Sequence, residues 1–277
     1  MGGKNSYFYS IQPFWNSVAR AEKEIKEEGI SLCRMEWDAK KWTCIPGNGQ
    51  ICALVTGPES FQAVCYGVLS EKKEIPLYSA ERGIFIRFSP GAFSRVFSVP
   101  ACEVNPEGTS LDEILTADRL GELRDSLAGE QPERELLLLL KRWEEERKSE
   151  KRGGMEGNLL ASKVQQLIWE RRGAVKIKEL ERETCYSARR LQEVMVQQIG
   201  IAPKQLCRQT RFQHALRDAL SRQGSSAKTS MAQEAYGLGY CDQAHYSREF
   251  KEFLGICPGK LQAESGKSGE GGRGEER

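Results

Sequence analysis

Two stretches of the chain place polar recognition groups on one face of a helix. The clearer one runs from Ser230 to Leu261, where Tyr246, Phe250 and Leu254 recur every fourth residue and predict a buried face. The opposite face is rich in groups that form hydrogen bonds or carry positive charge, and it also includes the small Ala244: Gln243, Ala244, His245, Ser247, Arg248 and Lys251. Such a face suits the base edges and phosphates of a DNA groove. The alternative is an ordinary solvated face of an amphipathic helix.

The same design occurs earlier in the chain. The string G-I-x-P-x-x-L begins at Gly200 and again at Gly255, an offset of 55 residues. The offset aligns the capping and apolar positions of two helices: Ser187 with Asp242, Leu191 with Tyr246, Met195 with Phe250, and Ile199 with Leu254. The earlier helix, Tyr186 to Ile199, is expected to expose Ala188, Arg189, Arg190, Gln192 and Glu193.

The flanking residues predict how these two recognition helices are held. Ser187 and Asp242 are good N-caps, because their side-chain oxygens can accept from the unpaired amides of the first turn. Gly239 provides a turn before the second helix, and Gly255 ends it. Pro203 to Leu220 predicts one long connecting helix, whose arginines are available to phosphates or to stabilising ion pairs: Arg208, Arg211 and Arg217.

The residues around the second helix resemble the signature G-F-x-D-x-S-H-F-S-R-x-F-K…G-x-x-P of AraC/XylS-type transcriptional regulators. The matching positions are Gly239, Tyr240, Asp242, His245, Tyr246, Ser247, Arg248, Phe250, Lys251, Gly255 and Pro258, with tyrosines in place of two phenylalanines and Ala244 in place of a serine. The resemblance extends from about Leu159 to Leu261. It implies an all-helical domain of two helix-turn-helix units, joined by a long helix, that binds double-stranded DNA.

One position departs from this family. A basic residue is common in the family where Glu193 stands. An acid near the groove repels phosphate and pairs best with the exocyclic amine of cytosine. Either Glu193 recognises a cytosine, or the first unit binds more weakly than the second.

Charge is distributed unevenly over the 277 residues. The net charge of +2 combines about +5 over residues 155–265 with about −3 over residues 1–154. The basic half is the half with the repeat, as phosphate binding requires. Nine cysteines lack C-x-x-C spacing and only two histidines occur, so neither a disulfide framework nor a metal site is expected. Because no stretch resembles a membrane span or signal peptide, we expect a cytoplasmic protein.

The N-terminal half predicts a β-rich domain. Short runs rich in β-branched and aromatic residues alternate with turn sequences: Ile30 to Trp37, Trp42 to Ile45, Ile51 to Thr56, Phe61 to Leu69 and Gly83 to Phe88. Phe14 to Glu28 is charge-rich and predicts a short helix. The string I-F-I-R-F-S-P-G-A-F-S-R-V-F-S-V-P after Gly83 resembles the N-terminal domain of a subgroup of AraC-type regulators whose sensing role is largely undefined.

Arg87 lies within the last of these runs, between Ile86 and Phe88. One interpretation is an arginine that points outward from an alternating strand. The other is an anchor for an anionic small-molecule effector.

Two helices follow the predicted sheet, Leu111 to Leu127 and Glu133 to about Lys151. Leu136, Leu139, Leu140 and Trp143 form an apolar stripe on the second. This stripe either packs on the sheet or forms the seam of a homodimer.

The sequence therefore predicts an α+β protein with four segments. Residues 1–150 form a sensing or dimerisation domain, 151–158 a polar, glycine-rich linker, 159–263 an AraC-type DNA-binding domain, and 264–277 a disordered tail. The predicted function is sequence-specific regulation of transcription, with no catalytic residues and no cofactor. Two alternatives remain: a DNA-binding module fused to a cysteine-based alkyl-acceptor or thiol-sensing domain, and a purely structural interaction module.

Overall fold

Alternating apolar residues build an antiparallel sheet in the N-terminal half. The structure is a computed structural model, and it describes residues 19–21, 25–37, 41–44, 46–47, 49–57, 61–76, 82–150, 155–221 and 231–259. The strands are β1 (Ala19–Ala21), β2 (Ile25–Glu27), β3 (Ile30–Trp37), β4 (Lys41–Cys44), β5 (Ile51–Thr56), β6 (Ala63–Tyr66), β7 (Lys73–Pro76), β8 (Arg82–Phe88) and β9 (Thr109–Ser110). The main sheet has the order β1-β3-β8-β5-β6-β9, β2 also pairs with β3, and β4 and β7 form a separate pair.

The helix predicted over Phe14 to Glu28 is wrong where the structure describes it. Ala19–Ala21 and Ile25–Glu27 are strands that pair with β3. Glu28 and Gly29, both at positive φ, form the hairpin turn between β2 and β3. Pairing with the sheet therefore outweighs the helix propensity of this charged stretch.

The helices are α1 (Ala92–Phe97), α2 (Ala117–Asp125), α3 (Pro132–Glu150), α4 (Met155–Glu170), α5 (Ile177–Thr184), α6 (Ala188–Ile199), α7 (Pro203–Ser221), α8 (Met231–Gly237) and α9 (Gln243–Leu254). Single 3-10 turns occur at Ala101–Glu103 and Leu111–Glu113. Together with the sheet they confirm the predicted α+β class. The predicted helix Leu111 to Leu127 is split into the second of these turns and α2.

One face of the sheet packs against α1 and α3. Phe88 contacts Phe93 and Phe97 edge to face, and Phe97 contacts Trp143 of α3 at a ring distance of 6.0 Å. Leu136 and Leu140 are fully buried in the same core. Of the two interpretations of the α3 stripe, packing within the chain is therefore the one that this arrangement fits.

The same core continues past the predicted linker. Helix α4 begins at Met155, inside the predicted 151–158 segment, and residues 151–154 lie outside the described part of the chain. A single apolar cluster runs from Ile30 in the sheet to Cys207 in α7. A second cluster begins at Phe212 of α7 and ends at Leu254 of α9. The two cores thus meet within α7. The predicted tail, 264–277, lies outside the described residues.

Buried side-chain amides of α7 form hydrogen bonds with the N-terminal half. The side chain of Gln209 accepts from the Gly49 amide at 3.1 Å and donates to the Leu69 carbonyl at 2.7 Å. Gln213 donates to the Pro46 carbonyl. Both glutamines are almost fully buried, so these bonds are made away from water.

Candidate nucleic-acid interface

The second helix-turn-helix unit consists of α8, a turn and α9. Asp242 caps α9 as predicted, and its Oδ1 accepts from the His245 amide at 2.6 Å. Gly239 has φ +78°, and a Cβ there would lie 2.8 Å from the Cβ of Ala174. Only glycine meets both conditions without strain. Gly255, whose backbone is also in the left-handed region, ends α9 as the sequence predicts.

The faces of α9 are those that the sequence predicts. Tyr246, Phe250 and Leu254 are buried, and the rings of Tyr246 and Phe250 meet at 4.9 Å. On the other side the predicted recognition residues reach solvent: Gln243, Ala244, Arg248 and Lys251 are exposed, and His245 and Ser247 are half-buried. The structure therefore brings all six onto one accessible face.

The first unit consists of α5, a turn and α6. Ser187 caps α6, its Oγ accepting from the Arg190 amide at 3.3 Å, and Glu181 accepts from the Ala188 amide at 2.7 Å. The aligned apolar positions are buried as predicted: Leu191, Met195 and Ile199. Gly200 ends the helix in the left-handed region.

The exposed face of α6 carries an internal ion pair. Arg189, Arg190, Gln192 and Glu193 are exposed, and Ala188 is half-buried. Arg189 Nε lies 3.0 Å from Glu193 Oε1, and Arg190 lies 3.9 Å from Glu193 Oε2. Glu193 thus partly neutralises the two cations that would meet phosphate.

The exposed stripe of α6 also lines a cleft shared with the N-terminal half. The cleft has a volume of about 490 Å³, and its walls are Cys102, Arg189, Gln192, Glu193, Val196 and Gln197. Next to it, a Cβ on Gly200 would lie 3.2 Å from the carbonyl of Ala101. The first recognition helix therefore lies directly beside the 3-10 turn Ala101–Glu103.

Arginines of the connecting helix form stabilising pairs, the second of the two roles that the sequence leaves open. Arg208 pairs with Glu249 and Glu252 of α9, and Arg211 donates to the Gly239 carbonyl at 3.2 Å. Burial alone would lower the pKa of Arg208, but its bonds to the two carboxylates raise that pKa above its usual value. Burial, with the Glu249 carboxylate nearby, also raises the pKa of the Tyr240 hydroxyl. Sequence reasoning missed Glu249, because a charged residue among exposed ones gives no indication of burial.

Arg87 does not point outward into solvent, so that interpretation is wrong. Its residue is 6% exposed, and its guanidinium donates to Ser31 Oγ at 3.1 Å. Burial lowers its pKa to about 10. Ser31 and Cys52 are its cross-strand neighbours, on the face of the sheet opposite α1 and α3.

The cysteines differ in exposure. Cys33, Cys65 and Cys207 are buried, and Cys102, Cys185, Cys241 and Cys257 are exposed. Burial raises the pKa of Cys65 to about 12 and that of Cys207 to about 11, which disfavours the reactive thiolate. Within the described part of the chain, no group of three or more His, Cys, Asp and Glu side chains could hold a metal ion. No described helix is long and apolar enough to cross a membrane.

Solved structures similar to this chain are forms of ToxT from Vibrio cholerae. One crystal form, at 10% sequence identity and a TM-score of 0.42, aligns over 85% of this chain and 98% of ToxT. ToxT bound to (E)-4-(8-methylnaphthalen-1-yl)but-3-enoic acid aligns at 12% identity and a TM-score of 0.40, over 85% and 99% of the two chains. These similarities are distant. No curated protein matches the chain.

The family comparison concerns the C-terminal half. Residues 180–264 match the family of the helix-turn-helix domain, a DNA-binding motif whose second helix enters the major groove. The match begins in α5 and includes both recognition helices, α6 and α9. Residues 180–264 are therefore a helix-turn-helix domain.

Proposed function

We propose that this protein is a sequence-specific transcription regulator that inserts α6 and α9 into two successive major grooves of DNA. The observation that carries the proposal is the duplicated pair of capped helices, each with a polar exposed face, held by one continuous connecting helix. Successive major grooves on one face of a duplex are about 34 Å apart.

We expect the second recognition helix, α9, to contribute more to DNA affinity than α6. Arg248 and Lys251 are exposed on α9, and its first turn contains no acid. On α6, by contrast, Glu193 holds Arg189 and Arg190 in ion pairs. Phosphate contacts supply much of the affinity for DNA, so the cations of α9, which form no ion pair with the described residues, favour its role as the main anchor.

Arg248 is the residue proposed to contact a base. A guanidinium can donate two parallel hydrogen bonds to O6 and N7 of guanine, which gives about 1–3 kcal/mol of discrimination. Gln192 in α6 and Gln243 at the beginning of α9 are both exposed, and their amides can contact adenine in the same way.

The experiment compares Arg248→Ala with the matched control Arg134→Ala. Arg134 is exposed on α3, where it donates to Gln131, so its replacement changes the net charge equally at a distance from the recognition helices. A site is first selected from random duplex DNA with the unmodified protein. We expect Arg248→Ala to weaken binding to that site by about 5- to 150-fold and binding to random DNA far less. Equal losses on both DNAs would reduce Arg248 to a phosphate contact, and failure to select any sequence would contradict the proposal.

In the N-terminal half, we propose Arg87 as the anchor of an anionic effector. Its guanidinium lies on a sheet face lined by Cys33, Leu54, Tyr66 and Phe85, where a carboxylate would be held away from water. A panel of aliphatic and aromatic carboxylic acids tested by thermal shift should raise Tm for the unmodified protein and not for Arg87→Gln. Neutral amides of the same acids are the control ligands. Equal shifts with acids and amides would exclude the anionic anchor.

The alkyl-acceptor alternative is tested by the mass of the intact protein after incubation with alkylated DNA. Transfer to a thiol adds the mass of one alkyl group. An unchanged mass favours the regulator without a cysteine-based activity.

A further inference from the structure

A cluster of charged side chains joins the connecting helix to the second recognition helix. Arg208 Nε donates to Glu249 Oε1 at 2.8 Å, and Arg208 Nη2 donates to Glu252 Oε2 at 2.7 Å. The Glu249 side chain is only 2% exposed. The guanidinium also lies 5.2 Å from the centre of the Phe253 ring. One arginine therefore contacts three residues on a single face of α9.

Arg208 lies between the two apolar cores along α7. Cys207 is the last residue of the core shared with the sheet, and Phe212 is the first residue of the second core. Arg208 thus stands at the junction of the two cores. Its backbone belongs to the part of α7 next to the first unit, and its side chain holds the helix that belongs to the second.

The cluster continues to the DNA-facing side of α9. His245 Nε2 lies 3.6 Å from Glu249 Oε1, and Arg211 Nε lies 3.9 Å from Glu249 Oε2. His245 is one of the residues on the exposed recognition face. Glu249 therefore lies between the connecting helix and the first turns of α9.

Among the described residues, the first unit has no equivalent of this cluster. Under the 55-residue offset, Glu249 corresponds to Val194 and Glu252 to Gln197. Val194 is buried in the apolar core. The first recognition helix is thus oriented by apolar packing, and the second also by ionic hydrogen bonds of defined direction.

We propose that Arg208, Glu249 and Glu252 are positioning residues that fix the orientation of α9 relative to α6, and with it the spacing between the two DNA half-sites. This inference rests on the proposed two-groove function. Apolar cores tolerate small rotations of packed helices, whereas a planar guanidinium that serves two carboxylates accepts few geometries. In some proteins, buried ion pairs contribute to structural specificity more than to stability.

The test uses the full chain with Arg208→Lys and Glu249→Gln. A lysine ammonium keeps the charge but lacks the fork that reaches both carboxylates, and glutamine keeps the shape of Glu249 without its charge. The matched control is Arg172→Lys, because Arg172 pairs with Asp218 of the same connecting helix at 3.5 Å but contacts no residue of α9 within the described residues. Binding is measured on three kinds of DNA. The first is the selected site, called the two-box site because it contains one box contacted by α6 and a second box contacted by α9. The others are versions with one or two base pairs added or removed between the boxes, and the second box alone.

We expect both variants to lose about tenfold in affinity for the two-box site at its preferred spacing, a size typical of coupled neighbouring residues. Their preference among the spacings should flatten, while binding to the second box alone stays within about twofold of the unmodified protein. Arg172→Lys should change none of the three.

Two results would overturn the inference. An unchanged spacing preference in both variants would show that packing alone orients α9. A parallel loss on the single box and on the two-box site would show that the cluster maintains the fold of the second unit and not its orientation. If no sequence at all is selected from random DNA, the proposed function itself fails, and this outcome is distinct from the other two.

Discussion

The two helix-turn-helix units share a pattern but differ in what surrounds them. The first unit shares its core with the β-sheet, and its recognition helix lies beside Ala101–Glu103. The second unit has a core of its own, built largely from the rings of Phe212, Tyr246, Phe250 and Phe253. The repeated positions, caps and apolar rows, thus determine the local geometry of each unit. The positions that differ determine what each unit is attached to.

The electrostatic difference follows the same division. On α6 the basic side chains are engaged by Glu193, whereas on α9 the buried acid Glu249 is turned toward α7 and leaves the exposed face basic. One duplicated scaffold therefore presents two surfaces of different charge. The two surfaces are expected to contribute unequally to binding.

The largest expected effect comes from a matched pair of core substitutions, Phe250→Ala and Met195→Ala, at aligned positions of the repeat. Phe250→Ala should lower the free energy of unfolding by about 3–5 kcal/mol, and Met195→Ala should lower it by about 2–5 kcal/mol. Because the second core consists of α8, α9 and the C-terminal part of α7, Phe250→Ala should accelerate hydrogen exchange mainly in these helices. Met195→Ala should accelerate it in α6 and in the sheet together. If both variants lose protection throughout the chain, the two cores unfold as one.

Acid should weaken the packing of α7 against α4 through His214, whose ring lies 4.8 Å from that of Trp169. Burial, together with the nearby cations Arg217 and Arg172, lowers the pKa of His214 to about 4, from 6.5 for an unperturbed histidine. The unfolded chain then binds the proton more readily than the folded one, so the stabilisation is complete above about pH 6.5 and is lost as the pH falls toward 4. The loss should reach about 3 kcal/mol.

Urea unfolding between pH 4 and 7 measures this contribution. His214→Gln, which cannot titrate, should show a flatter dependence on pH than the unmodified protein. Lys204→Gln, at an exposed position of the same helix, is the control. Identical slopes in all three proteins would mean that His214 is not the group responsible.

The smallest expected effect tests the charge difference between the recognition helices. Glu193→Gln releases Arg189 and Arg190 and removes an acid from the groove, so we expect affinity for the selected site to rise about two- to fivefold. The dependence of affinity on salt should become steeper, as further phosphate contacts require. Glu145→Gln on α3 is the control of equal charge. Weaker binding, with relaxed preference at one cytosine, would instead assign Glu193 to base recognition.

Local features of this molecule could be predicted from the sequence. The caps Ser187 and Asp242, the ends of both recognition helices and the strands Ile30–Trp37 and Ile51–Thr56 all follow from residue type and spacing within a short window. The exposed faces of α6 and α9 follow in the same way, because a helix with one apolar row must expose the other side.

Features that depend on contacts across the chain could not be predicted. The segment Ile25–Glu27 has the composition of a helix and becomes a strand because β3 lies beside it. Arg87 lies on a strand whose two faces are both buried. The alternation of inward and outward side chains therefore could not predict that Arg87 is buried. The core that joins the N-terminal half to α6 and α7 brings together residues far apart in the chain, such as Gly49 and Leu206, beyond the range of any local pattern.

The glutamine bonds between α7 and the sheet differ in kind from the contacts proposed for DNA. Gln209 and Gln213 pair with backbone groups and carry no charge. Dissolved ions screen interactions between charges but have little effect on buried amide bonds. A salt concentration that strips the protein from a duplex should therefore leave its two halves docked, and the released protein would keep the arrangement of helices with which it can bind again.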